Sequence, residues 1–226
     1  MTTRTFLESL FSLEGQVAVV IGGTGVLGGS LAEGLAKAGA KVAVAGRNAE
    51  RGEQRAAAIA NCGGEARYFP VEATNKASLE GLAGAIWEKW GRCDVVVNCA
   101  GVNSGTPYEQ ITEEEWRSVV DGNLLATHLG CQIFAPRMAE QPEGGSILNI
   151  GSVTAHLPLS KVFAYAASKA AVVNLSKNLA REYAKRNVRI NVLCPGFFPA
   201  EQNRRLLDAE RREKVLSQTP MGRFGE

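Results

Sequence analysis

The sequence lacks long apolar runs, and no stretch has the length that a transmembrane helix requires, about 18 to 20 apolar residues. Residues 1–16 also lack the continuous apolar core and the cleavage site of a secretory signal. We therefore expect a cytoplasmic protein that has no membrane as a partner.

An excess of one charge is also absent. The chain has 25 Lys and Arg residues against 23 Asp and Glu residues, which gives a formal net charge of +2 at pH 7. The basic residues are scattered among the acidic ones, whereas proteins that bind nucleic acids concentrate them in a patch or stripe. We expect no nucleic acid as a partner and favour a small-molecule substrate.

Cysteine and histidine are scarce. The odd number of cysteines, five, and their wide spacing are typical of reduced thiols in a reducing compartment rather than of a disulfide framework. One of the two histidines, His128, lies in a predicted helix without a second His, a Cys or an Asp at ligand spacing. We therefore expect no catalytic metal.

Short apolar runs alternate with longer stretches of helical period, which is typical of repeated βαβ units. The predicted strands are 17–21, 41–45, 66–71, 94–98, 146–150 and 189–194, and the predicted helices are 26–38, 49–61, 76–90, 113–138, 163–186 and 204–216. No linker, repeat or low-complexity block divides the chain. We expect residues 1–226 to form a single α/β domain, a doubly wound Rossmann fold with a parallel sheet and helices on both faces.

A glycine-rich turn follows the first predicted strand and opens a helix. Glycines in this context let the backbone approach the pyrophosphate of a dinucleotide at the positive end of the helix. The alternative is a plain turn between a strand and a helix. The cofactor contacts predicted here are Gly22, Thr24, Gly25, Val26, Leu27 and Gly28.

The end of the second predicted strand bears on the choice of cofactor. NAD-binding domains usually carry an acidic residue about 20 positions after the glycines, but here the chain reads Ala45-Gly46-Arg47-Asn48. A guanidinium favours a 2′-phosphate, so we predict NADP, with NAD as the alternative, and contacts from Arg47 and Asn48. The competing interpretation is that Arg47 is only a solvated surface charge.

Tyr165 and Lys169 are four residues apart in a predicted helix and therefore lie on one face of it. A free phenol has a pKa of about 10, and a nearby cation lowers that value. We therefore predict that Tyr165 exchanges a proton with a substrate.

Further residues along the chain extend this pattern: Asn98-Cys99-Ala100-Gly101, Asn123, Ser152 and Cys194-Pro195-Gly196. Together with the glycine turn and the helical Tyr/Lys pair, they resemble the short-chain dehydrogenase/reductase family from about residue 13 onwards. The resemblance implies an NAD(P)-dependent oxidoreductase that interconverts a ketone and a secondary alcohol.

The resemblance also implies roles for four catalytic residues, Asn123, Ser152, Tyr165 and Lys169. Tyr165 acts as general acid in reduction and as general base in oxidation, and Ser152 hydrogen-bonds the substrate oxygen. Lys169 lowers the pKa of Tyr165 and binds the nicotinamide ribose, while Asn123 helps to hold a water that links Lys169 to solvent. The remaining cofactor contacts are Glu72, Ala73, Asn98, Ala100, Gly101, Tyr165, Lys169, Pro195 and Gly196.

Residues 10–13, 25–29 and 196–203 resemble the sugar-acid branch of that family, of which D-mannonate oxidoreductase is an example. This implies fructuronate, mannonate or a related polyol as substrate. The alternatives are a 3-oxoacyl-type carbonyl reductase and a non-enzymatic nucleotide-binding protein on the same fold. The substrate contacts that we predict are Asn103, Ser104, Ser152, His156, Phe197, Gln202 and Asn203.

Two expectations concern the outer surface. The resemblance implies a further strand after residues 221–226, so we expect a chain truncated at its C-terminal end with an uncovered edge strand.

The predicted helices 113–138 and 163–186 carry apolar residues on more than one face. With the resemblance, this favours a homodimer or homotetramer over burial within one monomer.

Overall fold

One parallel sheet forms the centre of the computed structural model, which describes residues 3–198 and 209–225. Its six strands follow the order β3-β2-β1-β4-β5-β6, and each neighbouring pair runs parallel. The strands are β1 (Val17–Ile21), β2 (Lys41–Gly46), β3 (Glu65–Pro70), β4 (Val95–Asn98), β5 (Gly145–Ile150) and β6 (Val188–Leu193). The predicted doubly wound Rossmann fold is confirmed, and each strand boundary lies within one residue of its prediction.

Helices connect the strands. The α-helices among the described residues are α1 (Thr3–Phe11), α2 (Val26–Lys37), α3 (Ala49–Asn61), α4 (Lys76–Trp90), α5 (Glu113–Val120), α6 (Ala126–Met138), α7 (Phe163–Tyr183) and α8 (Ala209–Ser217). In this part of the chain, none combines the length and the apolar character that spanning a membrane would require.

Alternate residues of β1 enter two different apolar clusters. Val17, Val19 and Ile21 pack with side chains of α4 and α6, whereas Ala18 and Val20 pack with side chains of α2 and α3. Because successive side chains of a strand point to opposite faces, this division shows that helices cover both faces of the sheet. It also explains why β1 is apolar throughout.

Two helical predictions differ from the structure by more than one residue. The predicted helix 113–138 is divided by a π-helical segment, Asp121–Leu125, and α7 ends three residues before the predicted boundary, in a 3₁₀ turn at Ala184–Arg186. Residues 204–208 of the predicted helix 204–216 lie outside the described residues, and the described part is α8. The N-terminal helix α1 was not predicted, although Phe6, Leu7, Leu10 and Phe11 recur at helical spacing.

The N-terminal ends of β1 and β4 are tied together by a buried carboxylate. Asp94 accepts a hydrogen bond from the backbone N–H of Val17 at 2.8 Å, and the guanidinium of Arg92 pairs with the same carboxylate at 2.7 Å. A buried charge requires such partners. The contact aligns the two central strands, whose other ends carry the site described next.

Candidate active site

A cleft of about 1180 Å³ opens at the carboxyl ends of the strands, where the strand order reverses between β1 and β4. Open α/β sheets bind ligands at this position. The predicted site residues that line the cleft are Gly22, Thr24, Gly25, Val26, Leu27, Gly28, Arg47, Asn48, Glu72, Ala73, Ala100, Gly101, Asn103, Asn123, Ser152, Tyr165, Lys169, Pro195 and Gly196.

The glycine turn is shaped for close backbone contact. Gly22 has φ +92°, and a Cβ there would lie 2.6 Å from the backbone nitrogen of Ala100. A Cβ on Gly28 would collide with the carbonyl of Gly22. Gly25 precedes α2 and provides no side-chain cap, whereas the first turns of α3, α4 and α5 are capped by Asn48, Asn75 and Thr112. The N-terminus of α2 therefore fits an anionic group such as a pyrophosphate.

The far end of the cleft carries charged groups after β2 and β3. Arg47 lies with its guanidinium 3.5 Å from the carboxylate of Glu72, and both side chains are exposed, at 72% and 44%. An exposed ion pair of this kind is worth little, so Arg47 can exchange this partner for a phosphate. The Glu72 carboxylate also accepts hydrogen bonds from the backbone N–H and hydroxyl of Thr74.

One basic residue in this region was missed from the sequence. Arg51, one turn into α3, also lines the cleft. The spacing from Arg47 to Arg51 was a signal that could have found it. Asn48 lines the cleft as predicted, but its side chain caps α3. The side-chain oxygen of Asn48 accepts a hydrogen bond from the backbone N–H of Arg51 at 2.8 Å.

The predicted catalytic side chains meet at the other end of the cleft. Ser152 follows β5, and its hydroxyl oxygen accepts hydrogen bonds from the N–H and hydroxyl of Thr154 at 3.2 and 2.9 Å. Tyr165, on α7, lines the same cleft. Lys169, one turn further along α7, donates from its ammonium to the carbonyl of Ile150 at 2.8 Å. The end of β5 thus positions a hydroxyl, a phenol and an ammonium together.

Burial changes the acidity of both groups on α7. Burial raises the pKa of Tyr165, and the side chain of Ser152 only partly opposes this effect. Burial also lowers the pKa of Lys169 to about 8, because the charged ammonium is poorly solvated. The net shift of the Tyr165 pKa is therefore upward, and the expected lowering by Lys169 stays a prediction. The ammonium lies 5.6 Å from the centre of the phenol ring and donates to Ile150 instead.

Asn123 lies inside the π-helical segment and is completely buried. Its amide group donates to the carbonyls of Val102 and Val119 at 2.9 Å, and its carbonyl oxygen accepts from the N–H of Val102 at 3.0 Å. These bonds hold the loop after β4 against α5. The water-holding role of Asn123 stays a prediction.

Asn98 does not line the cleft, so its prediction as a cofactor contact is wrong. Its side chain is 3% exposed and donates to the carbonyl oxygen of Asn149 at 2.8 Å. The last side chain of β4 points toward Gly130 of α6, where a Cβ would collide with it. Asn98 is therefore part of the packing beneath the site.

The predicted substrate contacts divide into three groups. Asn103 and Ser152 line the cleft, whereas Ser104, His156 and Phe197 do not. Phe197 packs against the ring of Phe224, and its neighbour Phe198 lines the cleft instead. Gln202 and Asn203 lie outside the described residues. Across 3–198 and 209–225, no three His, Cys, Asp or Glu side chains are grouped as metal ligands would be.

Comparisons with known proteins agree with this geometry. Residues 16–211 match the family model described as short chain dehydrogenase. D-threitol dehydrogenase from Mycolicibacterium smegmatis is 36% identical over 95% of this chain and 82% of its own. A 3-oxoacyl-[acyl-carrier-protein] reductase from Vibrio cholerae is 34% identical over 95% of this chain and 86% of its own.

A solved structure gives the same result. The crystal structure of a gluconate 5-dehydrogenase from Burkholderia cenocepacia, in complex with NADP and tartrate, is 30% identical and has a TM-score of 0.91. The alignment covers 97% of this chain and 86% of that chain. With a family match over most of its length and a dinucleotide cleft that ends at a Ser, Tyr and Lys cluster, the chain belongs to the short-chain dehydrogenase/reductase family of NAD(P)-dependent oxidoreductases.

Proposed function

We propose that this protein uses NADP to interconvert a ketone and a secondary alcohol in a small polyhydroxylated substrate, either a sugar acid or a polyol. The observation that supports this most directly is the meeting of Ser152, Tyr165 and Lys169 at one end of a cleft whose other end carries Arg47. Hydride transfer requires both a dinucleotide site and a proton donor, and this cleft offers both.

The proposed mechanism assigns one task to each side chain. When bound, the nicotinamide supplies a hydride to the carbonyl carbon of the substrate. Ser152 donates a hydrogen bond to the carbonyl oxygen, and Tyr165 transfers its phenolic proton to that oxygen as charge develops. The hydride and the proton together convert C=O into CH–OH, and the reverse reaction uses Tyr165 as the base. Lys169, when charged, stabilises the phenolate that remains.

The preference for NADP rests on the cationic end of the cleft. Two guanidinium groups, those of Arg47 and Arg51, lie where the adenosine half of a dinucleotide would extend from the α2 turn. Two cations suit a 2′-phosphate, which a guanidinium binds through charge-assisted hydrogen bonds. NAD remains the alternative, because the carboxylate of Glu72 in the same region suits a hydroxyl.

The substrate class is supported by the relatives and by polar residues at the catalytic end. One relative is a D-threitol dehydrogenase, and a similar structure is a gluconate 5-dehydrogenase. Asn103 and Ser152 both line the cleft, and an amide and a hydroxyl suit hydroxyl or carboxylate groups of a substrate. Fructuronate or mannonate, the substrates implied by the sugar-acid branch, fit within this proposal.

A 3-oxoacyl-type carbonyl reductase is the second candidate. It is supported by the Vibrio cholerae relative and by exposed apolar side chains on elements around the catalytic residues, namely Tyr108, Leu157 and Phe163. The rings of Tyr108 and Phe163 pack edge to face, with centroids 5.0 Å apart. A non-enzymatic nucleotide-binding role is disfavoured, because Ser152, Tyr165 and Lys169 are all present at the cleft.

We also propose a homodimer or homotetramer. Apolar or small side chains on two helical elements are not fully buried in one chain, since Ala170 is exposed and Leu124 and Leu175 are half-buried. Sedimentation equilibrium of the purified protein measures this directly, and a monomer at micromolar concentration would contradict it.

A substrate panel tests the proposed function. With NADPH, the protein should reduce fructuronate or 5-ketogluconate, and with NADP it should oxidise gluconate, mannonate or threitol, all followed by absorbance of the reduced nicotinamide. Acetoacetyl thioesters serve as the comparison, and we expect little turnover of them. Turnover of the thioesters alone would support the second candidate and overturn the first.

Tyr165→Phe should lower kcat by about 10²- to 10⁴-fold, the usual contribution of a positioned general acid. NADPH affinity should change little, because the ring is kept and only the hydroxyl is removed. The matched control is Tyr183→Phe, at the other end of α7. Turnover by Tyr165→Phe that equals the control would show that Tyr165 is not the proton donor.

Arg47→Ala should raise the dissociation constant for NADPH by about 10- to 150-fold, since a charge-assisted hydrogen bond is worth about 1.5 to 3 kcal/mol. Affinity for NADH should change far less, and titration of nicotinamide fluorescence measures both. Arg67→Ala, on β3, is the control for loss of a surface guanidinium. Equal losses for both cofactors would mean that Arg47 does not read the phosphate.

The buried ammonium predicts a cost in stability that depends on pH. Lowering the pKa of Lys169 from 10.5 to about 8 destabilises the folded state by about 3 kcal/mol below pH 8, where the unfolded chain is charged as well. Lys169→Met removes this cost but also loses the bond to Ile150, worth about 1 kcal/mol. The variant should therefore be about 2 kcal/mol more stable than the parent at pH 7 in urea unfolding.

This advantage should disappear as the pH rises toward 10. Between pH 8 and 10.5 the unfolded chain binds more protons than the folded chain at Lys169, so the parent gains stability with pH and Lys169→Met does not. Lys177→Met, on the exposed side of α7, is the control and should show neither effect. A difference that is constant with pH would contradict the assigned shift.

A further inference from the structure

A thiol and an imidazole meet outside the cleft. Cys194 follows β6, and its sulfur lies 3.6 Å from Nε2 of His156, which follows the short helical turn after β5. The contact lies at the surface, where His156 is exposed and Cys194 is half-buried. Neither side chain lines the cleft, and the proposed hydride transfer uses neither of them.

The pair lies beside the catalytic end of the cleft. A Cβ on Gly151 would come within 2.7 Å of the Cys194 sulfur, so the thiol packs directly against the residue that precedes Ser152. The N–H of Val153 donates to the carbonyl of Pro195 at 3.1 Å and joins the two loops. A group attached to Cys194 would therefore lie against Gly151, which itself lines the cleft.

The other four thiols lack this combination of features. Burial raises the pKa of Cys93, and it raises those of Cys99 and Cys131 to about 11, which leaves very little thiolate to react. Cys62 is exposed at the end of α3. The only other histidine of the sequence, His128, belongs to α6, which covers the face of the sheet opposite to α3.

We propose that Cys194 and His156 form a modification site for low-molecular-weight disulfides. His156 accepts the thiol proton at Nε2, and the resulting Cys194 thiolate attacks one sulfur of the disulfide. The old S–S bond breaks as the new one forms, and the leaving thiolate takes the proton back from the imidazolium. One disulfide and one protein thiol thus give a mixed disulfide and one small thiol, with no other oxidant.

The imidazole matters because the thiolate, and not the thiol, is the nucleophile in this exchange. A further consequence, which rests on the proposed function, is that the mixed disulfide obstructs substrate at Ser152. The pyrophosphate turn at the opposite end stays open.

The reaction with 5,5′-dithiobis(2-nitrobenzoate) tests the site on the full chain, because each exchange releases one coloured thiolate. Cys62→Ser provides the background, since it removes the other surface thiol. We expect the Cys62→Ser protein to react in one fast phase. Adding Cys194→Ser should abolish that phase, and adding His156→Gln should slow it by about tenfold or more. His128→Gln is the matched control and should leave the rate unchanged.

Peptide mass spectrometry should locate the label at Cys194. The proposal is overturned if the fast phase survives Cys194→Ser, or if His156→Gln reacts as fast as the His128→Gln control. These rates are read without substrate or cofactor, so they decide the site even where the substrate panel shows no turnover.

The consequence for catalysis is read separately. In the Cys62→Ser background, protein labelled at Cys194 should lose turnover and keep NADPH binding, and dithiothreitol should restore the activity. Full turnover by the labelled protein would show that the modification does not reach the substrate. Absence of turnover before labelling would instead count against the proposed function.

Discussion

The parallel pairing of β1 with β4 is the contact on which the site depends. Their register places Ile21 beside Asn98, so both strands end at the same level. From there the chain leaves β1 toward α2 and leaves β4 toward α5, and a crevice opens between the two departing loops. The loops touch where Gly22 meets Ala100, at a distance that excludes any side chain on Gly22. Asp94 fixes the opposite ends of the same two strands, so the crevice is held from both ends of the pair.

Desolvation shapes the catalytic end of this crevice. It acts in opposite directions on two neighbouring groups, raising the pKa of the Tyr165 phenol and lowering that of the Lys169 ammonium. Both changes favour the uncharged form. A phenol that keeps its proton at neutral pH is suited to donate it during reduction. The Lys169 ammonium can stabilise the charge left behind only while it keeps its own proton. Burial thus strengthens the attraction between the Lys169 ammonium and the Tyr165 phenolate, and it narrows the pH range in which Lys169 carries its charge.

The sequence predicted those features that depend on local spacing. The apolar run of β1, the glycines after it and the Tyr165/Lys169 spacing each reflect a short-range rule, and the structure agrees with all three. Prediction from the sequence failed where distant contacts set the direction of a side chain or its burial. Asn98 was placed at the cofactor because the end of a strand does not reveal the face to which its last side chain turns. Phe197 was chosen over Phe198 for the same reason, and the acidity of Tyr165 followed from burial that no spacing encodes.

The relative position of the catalytic groups is set beneath the cleft as well as within it. Asn98 donates to Asn149, and Asn149 donates to the hydroxyl of Ser176 at 2.9 Å, which links β4, β5 and α7 through buried polar side chains. Asn149 lies three residues before Ser152, and Ser176 lies two turns beyond Lys169 on α7. A shift of α7 along the sheet would break these bonds and leave polar groups buried without partners, at about 1 to 3 kcal/mol each. An apolar contact would resist such a shift less, because it has no directional requirement. The misassigned Asn98 therefore serves the site indirectly, by fixing the register between the strand end that carries Ser152 and the helix that carries Tyr165.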